Sequence, residues 1–255
     1  MRQAGLQNVL KDLEEPRPER QLKITEDKNL KKTLDWLLNY YKKTVFSGQW
    51  WGEGLFGGTD LYTDSLVKEV INKTRKLRVT PQTISEFLCA VAAEPDLYST
   101  EHEEEYLRNN FGPFVSGLVM RAYEQGHSRF DLPFGALKHP VYNFSNISGT
   151  RDRQIEIIAR GLAGGLCDVS YINAIVYGDF GMYGGFCAYS AKNSMFTFYG
   201  RVGSFTGGYG TGITGCTFKS PYKKDLAQIQ KNLVHRKGNK FILLKNGKEE
   251  LVAET

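Results

Sequence analysis

Apolar residues between positions 29 and 126 recur at three- and four-residue steps, which is the pattern of amphipathic helices. The four sets are Leu30, Leu34, Leu37, Leu38 and Tyr41; Leu61, Leu66, Val67, Val70 and Ile71; Ile84, Phe87, Leu88 and Val91; and Phe114, Leu118, Val119 and Ala122. Thr80 and Pro81 supply an N-cap and a first-turn proline to the third set, and Gly126 stands where a C-cap glycine belongs. The acidic run at 101–105 is expected to form a turn before the fourth helix. The pattern therefore predicts a helical domain over residues 29–126.

After Gly126 the pattern changes to short β-prone runs separated by glycines. Strands are expected at Arg129–Leu132 and Val141–Phe144. Three similar segments then follow, at Ile155–Asn173, Ala174–Asn193 and Ser194–Gly215, and a fourth begins at Cys216. Each segment opens with a β-prone run and continues with a Gly-x-x-Gly. A repeat of about 20 residues predicts stacked coils, because one coil cannot bury its own apolar face.

Glycine is over-represented in this chain, with 27 of 255 residues, about 11% against a usual share of about 7%. The glycines of the repeat are predicted to form the tight corners of the coils, because glycine adopts a positive φ without steric cost. Asn173, Asn193 and Gly215 are expected to close the three coils. The predicted structural corners are Gly161, Gly164, Gly178, Gly181, Gly200, Gly203, Gly208, Gly210 and Gly212.

The Gly-x-x-Gly segments, together with Gly208-Tyr209-Gly210-Thr211-Gly212, resemble the GXGXG repeat domain over about residues 140–220. That domain forms the carboxy-terminal right-handed β-helix of the glutamate synthase large subunit, and it is similar to one of the subunits of formylmethanofuran dehydrogenase. In glutamate synthase the β-helix is a scaffold without catalytic residues, so the resemblance implies a fold and transfers no functional residue. The chain departs from the pattern in its first coil, 162–167, which lacks the third spaced glycine.

The predicted fold class is α+β. A charged arm at 1–28 and the helical domain at 29–126 precede a short right-handed parallel β-helix, or solenoid, at 127–220. A basic segment at 221–255 follows, with one helix and a β-hairpin, for which Asn246-Gly247 is a strong signal. The helices and the hairpin are expected to cap the open ends of the solenoid.

Charge and cysteine content restrict the class of protein only mildly. The 33 Lys and Arg residues exceed the 28 Asp and Glu residues, giving a net charge of +5. The four cysteines are scattered and form neither a disulfide framework nor a CxxC pair. With no signal-like segment and no apolar run of membrane-spanning length, a cytoplasmic protein without a membrane partner is expected. Cys167 and Cys187 are expected on neighbouring coils, either as a metal or redox pair or, as we favour, in a small packed column.

Motifs for catalysis or cofactor binding are weak. The string GxGxxG at 210–215 leads into a strand, whereas a dinucleotide fingerprint must open a helix. Three histidines are isolated: His127, His139 and His235. His102 lies in the acidic run 101–105, where adjacent side chains fan apart and cannot converge on one metal. We therefore predict no catalytic residue, no metal site and no cofactor.

Two surfaces are candidate partner contacts. One is the glycine-rich loop at 48–58 with its paired tryptophans, and the other is the stretch 219–248, which holds nine basic residues against one acid. The candidate residues are Trp50, Trp51, Lys223, Lys224, Arg236 and Lys237. The main hypothesis is a non-catalytic scaffold that binds a protein partner or forms a homo-oligomer. The alternatives are an enzyme with its site at the junction of helices and β-helix, or nucleic-acid binding through the basic segment.

Overall fold

The computed structural model describes residues 28–46, 59–94, 101–137, 144–161, 165–179, 190–203, 212–233 and 237–255. These residues form an α+β fold with a mostly parallel sheet. The helices are α1 (Lys28–Phe46), α2 (Thr59–Lys73), α3 (Pro81–Ala92), α4 (Glu101–Glu124) and α5 (Lys223–Asn232). The strands are β1 (Arg129–Leu132), β2 (Phe144–Ser145), β3 (Ile155–Arg160), β4 (Leu166–Cys167), β5 (Ile172–Tyr177), β6 (Met195–Phe198), β7 (Thr217–Ser220), β8 (Lys240–Lys245) and β9 (Lys248–Glu254).

The four amino-terminal helices follow the predicted apolar sets. Thr80 caps α3 as expected, because its hydroxyl accepts the Thr83 N–H at 3.1 Å while the Thr83 hydroxyl accepts the Thr80 N–H at 3.2 Å. Gly126 follows α4 with a φ of +98°. The expectation of a turn at 101–105 was wrong, since α4 already begins at Glu101. Acidic residues suit that position because they interact favourably with the positive end of the helix dipole.

The main sheet has the strand order β1-β3-β5-β6-β7-β8-β9. Its first six strands are parallel neighbours, and only the β8–β9 pair is antiparallel. A second parallel pair joins β2 to β4. A third ladder consists of single parallel bridges between Ser148, Ser170, Lys192, Thr214 and Lys237. This part of the chain thus forms three separate parallel ladders.

The pairs β1–β3, β3–β5 and β7–β8 have steps of 27, 17 and 23 residues, whereas β2–β4, β5–β6, β6–β7 and three of the four single bridges have a step of 22. Positive φ values recur at the same step in two columns. One column contains Asn146, Asp168, Ser190 and Gly212, and the other contains Tyr171, Asn193, Gly215 and Gly238, with a final step of 23. Asn193 and Gly215 therefore lie where the sequence predicted corners. Asn173 was placed wrongly, because β5 starts at Ile172 and the left-handed residue before it is Tyr171.

The carboxy-terminal hairpin forms at the predicted Asn246-Gly247 turn, where both residues have positive φ. Its first strand, however, continues the sheet, since β8 pairs in parallel with β7 and aligns Phe241 with Phe218. Parallel pairing thus continues beyond residue 220 into β8. Gly238 and Phe241 occupy the positions that correspond to Gly215 and Phe218 in the preceding step of the sheet.

The helices and the sheet share one continuous apolar core. The Ser116 hydroxyl on α4 accepts the Ser145 N–H at 3.0 Å and so fixes β2 against that helix. Gly149 and Ile155 correspond to Tyr171 and Ile172 in the next step of the ladders, and these two are adjacent in the chain. The five residues 150–154 are therefore an insertion. Within this insertion Arg153 packs its guanidinium over the Tyr123 ring, 3.8 Å from the centroid. Among the helices that the structure describes, none is long and apolar enough to cross a membrane.

Candidate interaction surface

Three tyrosines stand out as exposed aromatic side chains on the sheet side of the molecule. Tyr177, Tyr199 and Tyr222 are 43%, 46% and 41% exposed. Tyr177 and Tyr199 lie at the carboxyl ends of β5 and β6, directly after the buried Val176 and Phe198. Successive side chains on a strand point to opposite faces. The tyrosine that follows each of these buried residues therefore points outward.

Two arginines stack on these tyrosines and complete a row across the strands. The rings of Tyr177 and Tyr199 are stacked with centroids 4.9 Å apart and an interplanar angle of 5°. The guanidinium of Arg160 lies 5.2 Å from the Tyr177 centroid, and that of Arg201 lies 5.2 Å from the Tyr222 centroid. We call these five residues the tyrosine–arginine row. Tyr177, which contacts both Arg160 and Tyr199, therefore exposes mainly its ring edge and hydroxyl.

Aspartates hold both arginines in place. The Asp131 carboxylate accepts from Arg160 Nε at 2.9 Å and from its Nη2 at 3.0 Å. These hydrogen bonds and the opposite charge raise the pKa of Arg160. The buried Asp225 lies with its Oδ2 3.4 Å from Arg201 Nε, and Asp179 accepts the backbone N–H of Arg201 at 2.9 Å. The positive charges of the two arginines are therefore largely balanced within the row.

Asp225 is expected to be a determinant of stability at this surface. Its Oδ2 accepts the buried Val202 N–H at 2.9 Å and so ties α5 to the segment after β6. Asp225→Ala should lower the free energy of unfolding by about 2 kcal/mol, because it leaves that N–H without an acceptor. Asp225→Asn retains an oxygen acceptor and should lose less. Urea unfolding of both variants tests this, and an equal loss in the two would contradict it.

A column of glycine backbone lies directly beside the row. Arg160, Tyr177 and Tyr199 are followed by Gly161, Gly178 and Gly200. A Cβ at Gly178 would lie 2.5 Å from the Gly161 carbonyl oxygen, and a Cβ at Gly200 would collide with the Gly178 carbonyl. These glycines permit the close approach that places the side chains before them in one stack.

The predicted corner glycines are only partly within the described residues. Gly161, Gly178 and Gly212 have positive φ values of 114°, 141° and 111°. The carbonyl of Gly203 accepts a hydrogen bond from Gln228 Nε2 at 3.1 Å. Neither Gly200 nor Gly203 has a positive φ, so the corner prediction was wrong for the backbone conformation of these two. The remaining four, Gly164, Gly181, Gly208 and Gly210, lie outside the described residues.

The fold places the predicted basic contacts on separate parts of the molecule. Lys223 and Lys224 form the first turn of α5 directly after Tyr222 and are exposed, so they extend the row. Lys237 is also exposed but belongs to the ladder of single bridges, opposite Thr214. Trp50, Trp51 and Arg236 lie outside the described residues. The structure therefore joins two of the six candidate contacts to the tyrosines.

The three tyrosines were not among the contacts predicted from the sequence. The signal that could have found Tyr177 and Tyr199 was the Tyr-Gly pair that follows an apolar run at 177–178 and again at 199–200. Its spacing equals the 22-residue register, which the sequence-based period of about 20 obscured.

The cysteines show no sign of acting together among the described residues. Burial raises the pKa of the Cys216 thiol to about 11, and its Sγ lies 3.4 Å from the Ala191 carbonyl oxygen. Cys167 lies on β4 opposite Ser145, and Cys187 is outside the described residues, so the predicted Cys167–Cys187 column stays a prediction. Within the described ranges no group of three or more His, Cys, Asp or Glu residues could hold a metal ion.

At the junction of helices and sheet, the described residues pack apolar side chains. Phe134 is buried there, and Phe144 packs edge-on against it with ring centroids 5.7 Å apart. Tyr123 lies at the rim of this junction and donates its hydroxyl to the Arg153 carbonyl at 2.6 Å. Burial acts to raise the pKa of Tyr123, but hydrogen bonding and the positive charge of Arg153 outweigh it and lower that pKa.

Comparison with known proteins adds no assignment to this geometry. No protein-family model, no curated protein and no solved structure matches the chain.

Proposed function

We propose that this chain is a non-catalytic interaction scaffold built on a short right-handed parallel β-helix. The common register of the three ladders supports the β-helix, because consecutive strands pair in chain order and glycines or left-handed residues recur at the same corner. Parallel crossover connections are right-handed in nearly all sheets. The resemblance to the GXGXG repeat domain is part of this proposal.

The observation that carries the scaffold function is the tyrosine–arginine row. Its three tyrosines are between two fifths and one half exposed. Tyrosine and arginine are enriched at the centres of protein–protein interfaces, because they combine a large contact area with hydrogen-bonding groups. A rigid sheet fixes the spacing of these side chains before any partner binds.

Affinity capture from a native lysate tests this function. Wild-type protein should retain one partner, or a second copy of itself, in a stoichiometric amount, and Tyr177→Ser combined with Tyr199→Ser should reduce retention at least about tenfold. Leu251→Ser is the matched control, because Leu251 is another exposed apolar side chain, 57% exposed on the edge strand β9. A clean monomer without a partner, or capture unaffected by the tyrosine changes, would contradict the proposal.

Nucleic-acid binding is the second candidate function. It is supported by Lys223 and Lys224, whose side chains are exposed beside Tyr222 and could contact phosphates. The loop at 48–58, which the enzyme alternative would use as a lid, lies outside the described residues.

A further inference from the structure

We infer that the partner presents an acidic, extended protein segment to the tyrosine–arginine row and to the two lysines that follow it. This inference rests on the proposed scaffold function and names the chemistry of the partner. Three properties of the surface favour it: the coverage of the ring faces, the balance of charges, and the position of the lysines on α5.

The ring faces favour a protein segment over nucleobases. Single-stranded nucleic acids bind by laying bases on free aromatic faces. Because β5 lies between β3 and β6, Arg160 covers one face of Tyr177 and Tyr199 covers the other. Arg201 likewise covers one face of Tyr222. What remains accessible on Tyr177 is its edge and hydroxyl, which suit hydrogen bonds to carboxylates and peptide carbonyls.

The charges favour an acidic segment. Arg160 is balanced by Asp131, and Arg201 lies beside Asp225. Lys223 and Lys224 make no ion pair with any residue that the structure describes. The unbalanced charge at this end of the row is therefore positive, and carboxylates are its complement.

The position of the lysines is unfavourable for the helix itself. Both occupy the first turn of α5, where the positive end of the helix dipole disfavours cations. The N-cap residue, Tyr222, makes no side-chain capping hydrogen bond. The acidic residue of that turn, Asp225, is buried and already engaged by the Val202 N–H and by Arg201. The two lysine charges therefore remain exposed at the helix start, and bound carboxylates would offset them.

The spacing sets the size of the bound segment. Neighbouring strands lie about 4.8 Å apart, so the path from Tyr177 across Tyr199 to the start of α5 is roughly 10 Å. An extended peptide advances about 3.3 Å per residue and would cover this path with about three to four residues. The segment would cross the strands, with its carboxylates at the tyrosine hydroxyls and at Lys223 and Lys224.

Fluorescence anisotropy with two labelled probes, a 15-residue poly-L-glutamate and a 15-nucleotide oligouridylate, tests this inference. The peptide should bind the wild-type protein more tightly than the oligonucleotide does. Lys223→Glu with Lys224→Glu should weaken peptide binding at least about tenfold, and Tyr177→Phe with Tyr199→Phe about threefold, because only the hydroxyls are lost. The control Lys245→Glu with Lys248→Glu makes the same charge change at the hairpin and should alter binding less than about twofold.

Three outcomes would overturn the inference: no peptide binding, an equal loss in the hairpin control, or tighter oligonucleotide binding that depends on Tyr177 and Tyr199. The first two can occur while capture of a partner still depends on the tyrosines, in which case the scaffold function stands and the acidic chemistry falls. The third outcome would favour the nucleic-acid function. Loss of both capture and peptide binding would remove the scaffold proposal as well.

Discussion

Gly178→Ala should lower the free energy of unfolding by about 3 kcal/mol or more, since backbone strain and overpacking each cost about 1–3 kcal/mol. Gly178 has a φ of +141°, which side-chain-bearing residues rarely adopt. Its added Cβ would also lie 2.5 Å from the carbonyl oxygen and 2.9 Å from the carbonyl carbon of Gly161. Both contacts are to backbone on the neighbouring strand, so relief requires β3 and β5 to separate at this end.

Gly126→Ala is the matched control for this change. Gly126 also has a positive φ, +98°, but a Cβ there would meet no atom within 4 Å. Its loss should be about 1–2 kcal/mol, which is the conformational cost alone. Urea unfolding followed by circular dichroism measures both variants. If both variants lose the same free energy of unfolding, the close backbone contact at Gly178 does not contribute to stability and the glycine column is not a structural requirement.

Phe218→Ala should cost about 4 kcal/mol, within the usual range for a buried phenylalanine. Phe218 is fully buried, and its ring stacks between Phe196 at 5.3 Å and Phe241 at 5.5 Å, centroid to centroid. The three residues occupy aligned positions on β6, β7 and β8, whose hydrogen bonds fix their separation. The cavity left by truncation therefore cannot collapse along the stack.

An exposed stack provides the comparison for the buried one. Tyr199→Ala removes a ring stacked at 4.9 Å on Tyr177, but Tyr199 is 46% exposed. The free energy of unfolding should fall by about 1 kcal/mol, because little apolar area returns to water. Guanidinium unfolding of both variants gives the two free energies. Equal losses would mean that ring stacking, and not burial, dominates the stability of the sheet.

Local chemistry made much of the helical region and the hairpin predictable. The apolar steps of three and four, the Thr80 cap and Gly126 act within one turn of chain, and the structure forms α1 to α4 over these residues. Asn246-Gly247 likewise determines its turn through its own positive φ values. The start of α4 at Glu101 was missed, because the run of acidic residues was taken as a turn although it suits a helix N-terminus.

The order of residues was sufficient to predict the α+β class, the helices, the terminal hairpin and the presence of a glycine-marked repeat. The folded molecule was needed to establish the 22-residue register, the parallel order of the strands and the continuation of parallel pairing into β8. It was also needed to show that Tyr177 and Tyr199 stack, and that Lys223 and Lys224 begin a helix beside Tyr222. The physical reason is that strand register depends on hydrogen bonds and side-chain contacts between residues about 22 positions apart, which local propensity does not encode.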